Sequence, residues 1–467
     1  MHRSTLDLMT EEFGEAVVLA DLGTLERYLR DWSGDHRGEV LAVVRPASVA
    51  DVQRTVRFCR QYGLSVIPQG GNTGLVAGAA GRAPDRAVIV NLERLNRIRG
   101  IDAENLSLRA DAGCTLQQIK DASEALDCQF PLALGAQGSC QVGGNAATNA
   151  GGVNVLRYGM TRDLVLGLEV VLPDGEFWNG FSALRKDNRG YDLKQLFIGS
   201  EGTLGIITGV EVKLFPRVKE VETAYVGVRS FTEAMALFRR GRSACADLMT
   251  AFEVIGAECM PFAQMIKPDL RIPIDAPVHI LMEASSSGRL GLRQFVVDFL
   301  AEASEDNLVV DAVVAETIAQ ARSFWAIREG LVEGQGRQGF HVRTDLSVRL
   351  SDVAALIEKG RLLVASRYPG WTSLAYGHAG DGNVHFNVVP PSTLPEAEAR
   401  AIGAEIEKAL YDLVTREGGS ISAEHGIGRS RRDYWWASVS PVHRRLLKAV
   451  KSALDPDDLM NPGCLLP

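Results

Sequence analysis

Three clusters of glycine set among short β-like runs constrain this chain more than any other feature. Of its 47 glycines, 27 fall within the first 210 of 467 residues. The first cluster, Pro68-Gln69-Gly70-Gly71-Asn72-Thr73-Gly74, directly follows an apolar run. Paired glycines let backbone N–H groups converge without side-chain obstruction, forming a concavity suited to a pyrophosphate, and Thr73 adds a hydroxyl. No Lys-Ser/Thr follows, so this is not a Walker loop. The second cluster is denser: Pro131 to Ser139 with Gly135 and Gly138, then Gly143-Gly144-Asn145-Ala146-Ala147-Thr148-Asn149-Ala150-Gly151-Gly152. The third, Gly199-Ser200-Glu201-Gly202-Thr203-Leu204-Gly205, has Rossmann-like spacing. It runs into Ile206-Ile207-Thr208, a β-like stretch rather than a helix, so the nicotinamide-binding reading fails its context. Each loop alone also suits an ordinary turn; together, glycines with Ser, Thr and Asn describe a trough for an extended ligand.

The length predicts about three folding units. Fractions of 46% apolar and 23% charged residues are those of a globular chain. A net charge of −8 without a long basic run argues against nucleic acid. No apolar run reaches the roughly 18 residues that would span a bilayer, and the start lacks a basic segment followed by an apolar one. The expectation is a cytoplasmic enzyme. Seven cysteines, widely spaced and without a Cys-x-x-Cys pair, suggest neither a disulfide framework nor a cysteine zinc site.

Periodicity predicts a βαβ opening: strand 41–44, helix 48–62, strand 64–67. Short strands at 87–92, 106–110, 165–172 and 206–214 follow, broken by a helix at 116–125. The second half changes period. Strand 221–228, helix 231–244, strand 250–255, strand 279–283, helix 290–303 and strand 308–312 make a split βαβ order. After a linking helix at 315–335 the order recurs: strand 340–346, helix 352–366, strands 372–377 and 384–389, helix 395–417, strand 420–423. The predicted fold class is α+β, with a two-lobed ligand domain (1–219), a cap carrying an antiparallel sheet of two ferredoxin-like units (220–428), and a helical segment (429–467) returning to the first domain.

Two histidines bracket a motif of strong turn chemistry, His378-Ala379-Gly380-Asp381-Gly382-Asn383-Val384-His385. A hairpin there would bring both imidazoles together, with Asn387 on the face of His385. Glu424-His425 supplies a carboxylate and a third imidazole. Two neutral imidazoles and one carboxylate suit zinc, manganese or iron(II) better than calcium. The bland alternative is a pair of satisfied strand histidines beside an unrelated acidic turn.

The glycine loops, with Arg185-Lys186-Asp187-Asn188-Arg189-Gly190-Tyr191-Asp192 leading into Leu196-Phe197-Ile198-Gly199-Ser200-Glu201-Gly202, resemble the FAD domain of the vanillyl-alcohol-oxidase (PCMH) type of flavoprotein. Within that type the chain is similar to the D-2-hydroxyglutarate dehydrogenases and their D-lactate dehydrogenase and glycolate oxidase relatives, from about residue 41 to 467. The resemblance implies FAD contacts from Pro68, Gly70, Gly71, Asn72, Thr73, Gly74 and Leu75, from Pro131, Gly135, Gly138, Ser139, Gly143, Gly144, Asn145, Thr148, Asn149, Gly151 and Gly152, and from Glu201, Gly202, Gly205, Ile206 and Asn461. Members that tether flavin through the first loop have histidine after the paired glycines; Asn72 stands there, implying non-covalent FAD.

The resemblance also implies metal ligands at His378, His385 and Glu424, zinc before manganese, and a base at His425. Arg328, Val332, Arg343 and Asn387 align with substrate-reading positions. The mammalian-type enzymes have threonine at position 332 and lysine at 343, so the distal end of the acid is where this chain departs. D-2-hydroxyglutarate is favoured, with D-malate or D-lactate as alternatives and a flavin- or metal-binding protein without turnover as the rival of another class. An electron-transfer flavoprotein or quinone would accept the electrons, and a homodimer is compatible with such enzymes.

Overall fold

The computed structural model describes residues 3–81 and 86–467, which divide into two compact units. Unit 1 comprises residues 1–152, 159–217 and 424–467; unit 2 comprises 153–158 and 218–423. Beside the expected limits, residues 218–219, 153–158 and 424–428 are grouped otherwise. Residues 153–158 belong to unit 2, where the Arg157 guanidinium donates to the Ser285 carbonyl at 2.7 Å. Residues 424–428 belong to unit 1, where the N–H groups of Ile427 and Gly428 donate to Glu201.

Unit 1 opens with a four-stranded sheet in the order Val18–Leu19, Ala42–Val44, Ala87–Asn91, Ser65–Gln69, the last three parallel. Those three carry β-branched runs buried on both faces, as parallel strands require. The helix Val49–Gln61 starts at the Ser48 cap, which accepts from the Asp51 N–H, and buries Val52, Val56 and Cys59 at helical spacing. A five-stranded antiparallel sheet follows in the order Ile98–Asp102, Ser107–Asp111, Ile206–Lys213, Val165–Val171, Phe177–Asn179. The returning tail pairs with the first sheet: Val66 N–H donates to the Leu459 carbonyl, and Asn461 N–H donates back to Val66 at 2.7 Å. Buried Asp455 holds that turn by accepting from Lys451 and from the backbone of Leu459 and Met460.

Unit 2 is built on one seven-stranded antiparallel sheet in the order Asp311–Val314, Glu220–Val228, Val278–Ser286, Met249–Gly256, Thr372–Gly377, Asn383–Val389, Leu346–Ser347. The four strands from the first half stand fourth, first, third, second; the three from the second half stand second, third, first. The strand expected at 340–346 is shorter, because the Thr344 N–H donates to the Asn387 side chain and its hydroxyl to the Phe386 carbonyl. The segment expected as a strand at 420–423 makes only isolated bridges at Ser420 and Ser422. There the Ser422 N–H turns to the Ser420 hydroxyl, and the Ala423 N–H is shared between the Asp345 carbonyl and carboxylate, so side chains compete for the donors a ladder needs.

The linking helix, Ile318–Gln338, is capped by Thr317 and lies on one face of the sheet. With the short helix Met260–Ile266 it buries Phe324, Ile327 and Leu331 against Tyr225, Ile255, Leu281, Leu374 and Tyr376. Each such side chain removed from water contributes on the order of 1.5–3 kcal/mol. No helix among the described residues is long and apolar enough to cross a membrane.

Candidate active site

A cleft of about 380 Å³ runs through unit 1. All three glycine clusters line it: residues 68–76, 134–136 with 140–148, and 201–207 contribute most of the wall, and Glu424 and His425 complete it. Close approach explains why glycine is needed at two positions. A Cβ on Gly71 would stand 1.9 Å from the Ser139 carbonyl oxygen, so the first two loops touch backbone to backbone there. Gly152 has φ +92°, and a Cβ on it would meet the Ala133 carbonyl at 2.0 Å. Its N–H donates to Glu424 Oε2 at 2.7 Å, which fixes that carboxylate in the wall.

Other faces of the cleft are shaped to be filled. Cβ atoms on Gly74, Gly135 and Gly144 would meet no atom within 4 Å. Gln141 Oε1 and Asn145 Oδ1 are buried in the wall without a hydrogen-bond partner. A buried acceptor left so costs about 1–3 kcal/mol, and a ligand rich in hydroxyl and N–H donors, as FAD is, would recover it. Gln141 was missed in the sequence. Its signal was an amide one residue before an apolar helix start and the paired glycines Gly143-Gly144.

Several of the expected flavin residues stand behind the wall. Ser139 supplies the carbonyl that packs on Gly71, and its hydroxyl turns to Ala136. Asn149, at φ +49°, ends the helix Val142–Thr148, and its side chain accepts from the Arg162 N–H. Pro131 and Gly138 are not among the lining residues. Asn461 is a knot in the tail: its amide donates to the carbonyls of Gly78 and Glu201 and accepts from Arg429. Glu201 both lines the cleft and ties the third loop to the tail through Ile427 and Gly428. Burial pushes its carboxyl above the usual range, against those N–H groups, which favour the charged form. The Asn72 amide donates to the carbonyls of Arg27 and Arg30, fastening the first loop to the end of the N-terminal helix Leu22–Leu29.

In unit 2 a polar cluster occupies the sheet face under the linking helix. Register puts it there: Ile255 faces Tyr376, Tyr376 faces His385, and Leu374 faces Asn387, so Glu253, two residues before Ile255, shares that face. His378 lies one residue past the strand Thr372–Gly377, its ring centroid 5.4 Å from that of His385. Each imidazole has a carboxylate beside Nδ1: Glu253 at 2.5 Å from His378, and Asp345 at 3.9 Å from His385. A proton held on His378 Nδ1 puts the ring's lone pair on Nε2, the form a divalent metal takes. The donor set therefore fits a metal that prefers imidazole nitrogen. Burial alone would raise the Glu253 carboxyl, but His378 and Arg328 against its two oxygens outweigh it and hold the group at about 2.

Arg328 is buried; its Nε donates to Glu253 at 2.7 Å, and its guanidinium lies over the Tyr376 ring. Val332, one turn on, is 61% exposed, and Arg343 is also exposed. Asn387 is buried on the same sheet face. Both Nδ2 hydrogens are engaged, by Gln335 at 2.7 Å and the Tyr376 hydroxyl at 3.1 Å, while Oδ1 accepts from Thr344. The amide thereby links the strand to the linking helix. Glu253 was missed, although a lone acid inside Ala251-Phe252-Glu253-Val254-Ile255 is a legible signal.

Comparison with known proteins agrees with both halves. A family signature described as FAD linked oxidases, C-terminal domain, matches residues 217–465, and one described as FAD binding domain matches 40–180. The chain belongs to the FAD-linked oxidase family. Among its members the D-2-hydroxyglutarate dehydrogenase of Bos taurus, named as mitochondrial, is 37% identical over 96% of this chain and 81% of its own. The D-2-hydroxyglutarate dehydrogenase of Xanthomonas citri pv. viticola is 34% identical over 94% of this chain and 92% of its own. A crystal structure of p-cresol methylhydroxylase with substrate bound superposes with a TM-score of 0.78 at 17% identity, covering 98% of this chain and 95% of that one, and so shares the fold. This FAD-linked oxidase therefore has the PCMH-type architecture its glycine loops implied.

Proposed function

We propose that this enzyme oxidises a D-2-hydroxy acid, D-2-hydroxyglutarate before D-malate or D-lactate, to the 2-oxo acid, with non-covalent FAD and a divalent metal, zinc before manganese. The observation that carries the reading is the position of Glu424 and His425 side by side in the wall of the glycine cleft, with Glu424 fixed by the Gly152 N–H. FAD held in the glycine cleft would supply a hydride acceptor for C2 at its N5, and a metal held by His378, His385 and Glu424 would supply Lewis acidity toward the substrate hydroxyl. His425 accepts the hydroxyl proton at an imidazole nitrogen, leaving the 2-oxo acid. Arg328 supplies a buried guanidinium for a carboxylate. Asn72 carries no nucleophile and its amide is tied to Arg27 and Arg30, in keeping with flavin that is not tethered at this loop.

The names of the relatives support D-2-hydroxyglutarate; Val332, which lacks a hydroxyl, favours an acid with less to bind at its distal end. Turnover of the three D-acids with an artificial dye acceptor, before and after chelator treatment, tests the reading. The highest kcat/KM is expected for D-2-hydroxyglutarate, with activity lost on chelation and restored by zinc or manganese. Activity indifferent to metal removal would remove the metal from the mechanism. In this reading the electrons then pass to an electron-transfer flavoprotein or a quinone.

A further inference from the structure

Glu253 places a carboxylate in the middle of an apolar strand, fully buried. Its two oxygens serve two partners from distant parts of the chain. Oε1 is 2.5 Å from His378 Nδ1, 125 residues on, and Oε2 accepts from Arg328 Nε at 2.7 Å, 75 residues on. The guanidinium so held is also stacked on Tyr376, 4.9 Å from the ring centroid. At the other imidazole of the pair, Asp345 Oδ1 stands 3.9 Å from His385 Nδ1. One carboxylate therefore sets the orientation of two groups with different proposed tasks.

We propose that Glu253 is a positioning residue that couples metal binding to substrate-carboxylate recognition, fixing His378 in its ligating tautomer and the Arg328 guanidinium in its stacked pose. The inference deepens the proposed function and rests on its assignment of His378 to the metal and Arg328 to the acid. Its chemistry is specific. Glu253→Gln keeps the shape but replaces one acceptor with a donor, so one partner must face an NH₂ group. Turned to His378, that NH₂ forces the proton onto Nε2 and removes the lone pair a metal needs; turned to Arg328, it leaves the Nε–H without an acceptor.

The test is made on the FAD-loaded enzyme, measuring zinc affinity by competition with a chelator alongside kcat and KM for D-2-hydroxyglutarate. Glu253→Gln is expected to keep its flavin spectrum while zinc affinity falls about 10-fold or more and KM rises. Glu253→Asp, one methylene shorter, should recover one readout and not both. Arg328→Lys provides a second route if Glu253→Gln does not fold. It removes the Nε–H that steadies the carboxylate, so zinc affinity should fall although Arg328 is no ligand. Zinc affinity and KM both within twofold of the unaltered enzyme in Glu253→Gln, or zinc affinity within twofold in Arg328→Lys where only that variant folds, overturns the coupling alone. An unaltered enzyme that takes up no zinc overturns the metal assignment and the coupling with it.

Discussion

In unit 1 the ligand surface is backbone. Gly71, Gly143 and Gly202 bring neighbouring segments into close contact, Gly74, Gly135 and Gly144 leave open space, and the polar atoms that face the cleft are few. In unit 2 the surface under the linking helix is made of side chains, with Glu253, Arg328, Gln335, Tyr376, His378 and Asn387 bonded to one another on a sheet face otherwise given to apolar packing. A backbone cradle tolerates chemistry but not volume; a side-chain cluster tolerates small volume changes but not the loss of a donor or acceptor. The two regions should therefore fail differently when altered.

The largest effect is expected where a side chain does chemistry. His425→Asn should lower kcat by about 10²–10⁴-fold while flavin content and zinc uptake stay at the unaltered level. Near-normal turnover would discard the base assignment. In the cradle, Gly71→Ala drives a Cβ into the Ser139 carbonyl, and the loops must part, at a cost of about 1–3 kcal/mol in the apo melt and with loss of flavin on gel filtration. Asn387→Ala, in the cluster, leaves Gln335 and the Thr344 N–H unpaired and should cost a similar 1–3 kcal/mol in denaturant unfolding. Its flavin affinity should be unchanged, which separates the regions.

Gly144→Ala sharpens the contrast. The added methyl meets no protein atom and sits in the helix Val142–Thr148, so the apo protein should gain up to about 1 kcal/mol. FAD should bind more weakly, because the methyl occupies the cleft; a tighter complex by equilibrium dialysis would contradict the cradle. The smallest effect concerns pH. Because the Glu201 carboxyl is raised in the folded state, the native protein keeps that proton to higher pH than the unfolded chain. Its contribution is therefore full below the ordinary value of 4.5 and is lost as pH rises through the folded value. Thermal melts from pH 4 to 7 should show this decline in the unaltered protein and a flatter profile in Glu201→Gln.

The same contrast governs what was legible in the sequence. Glycine spacing speaks directly of backbone approach, so the loops at 68–75 and 143–152 could be read as a cradle from residue types alone. Gln141 escaped because its role is to be buried beside glycines, a property of the folded wall. The strands of unit 2 were legible from alternation and length, except at 340–346 and 420–423, where Thr344, Ser420 and Asp345 divert backbone donors from the ladder. The histidines His378 and His385 announced themselves by bracketing a turn. Glu253 did not, since its partners lie 75 and 125 residues away and only strand register brings them to one face. The partners of Asn387, Gln335 and Tyr376, were invisible to spacing for the same reason.

The central claim, that the cleft of unit 1 holds a flavin reduced by a D-2-hydroxy acid, is tested most directly by anaerobic mixing of the FAD-loaded, zinc-replete enzyme with D- and L-2-hydroxyglutarate while the flavin band is followed. The account predicts rapid bleaching with the D-acid, none with the L-acid, and slow bleaching with the D-acid in His425→Asn. A flavin that stays oxidised with every D-2-hydroxy acid offered, D-malate and D-lactate included, would contradict it.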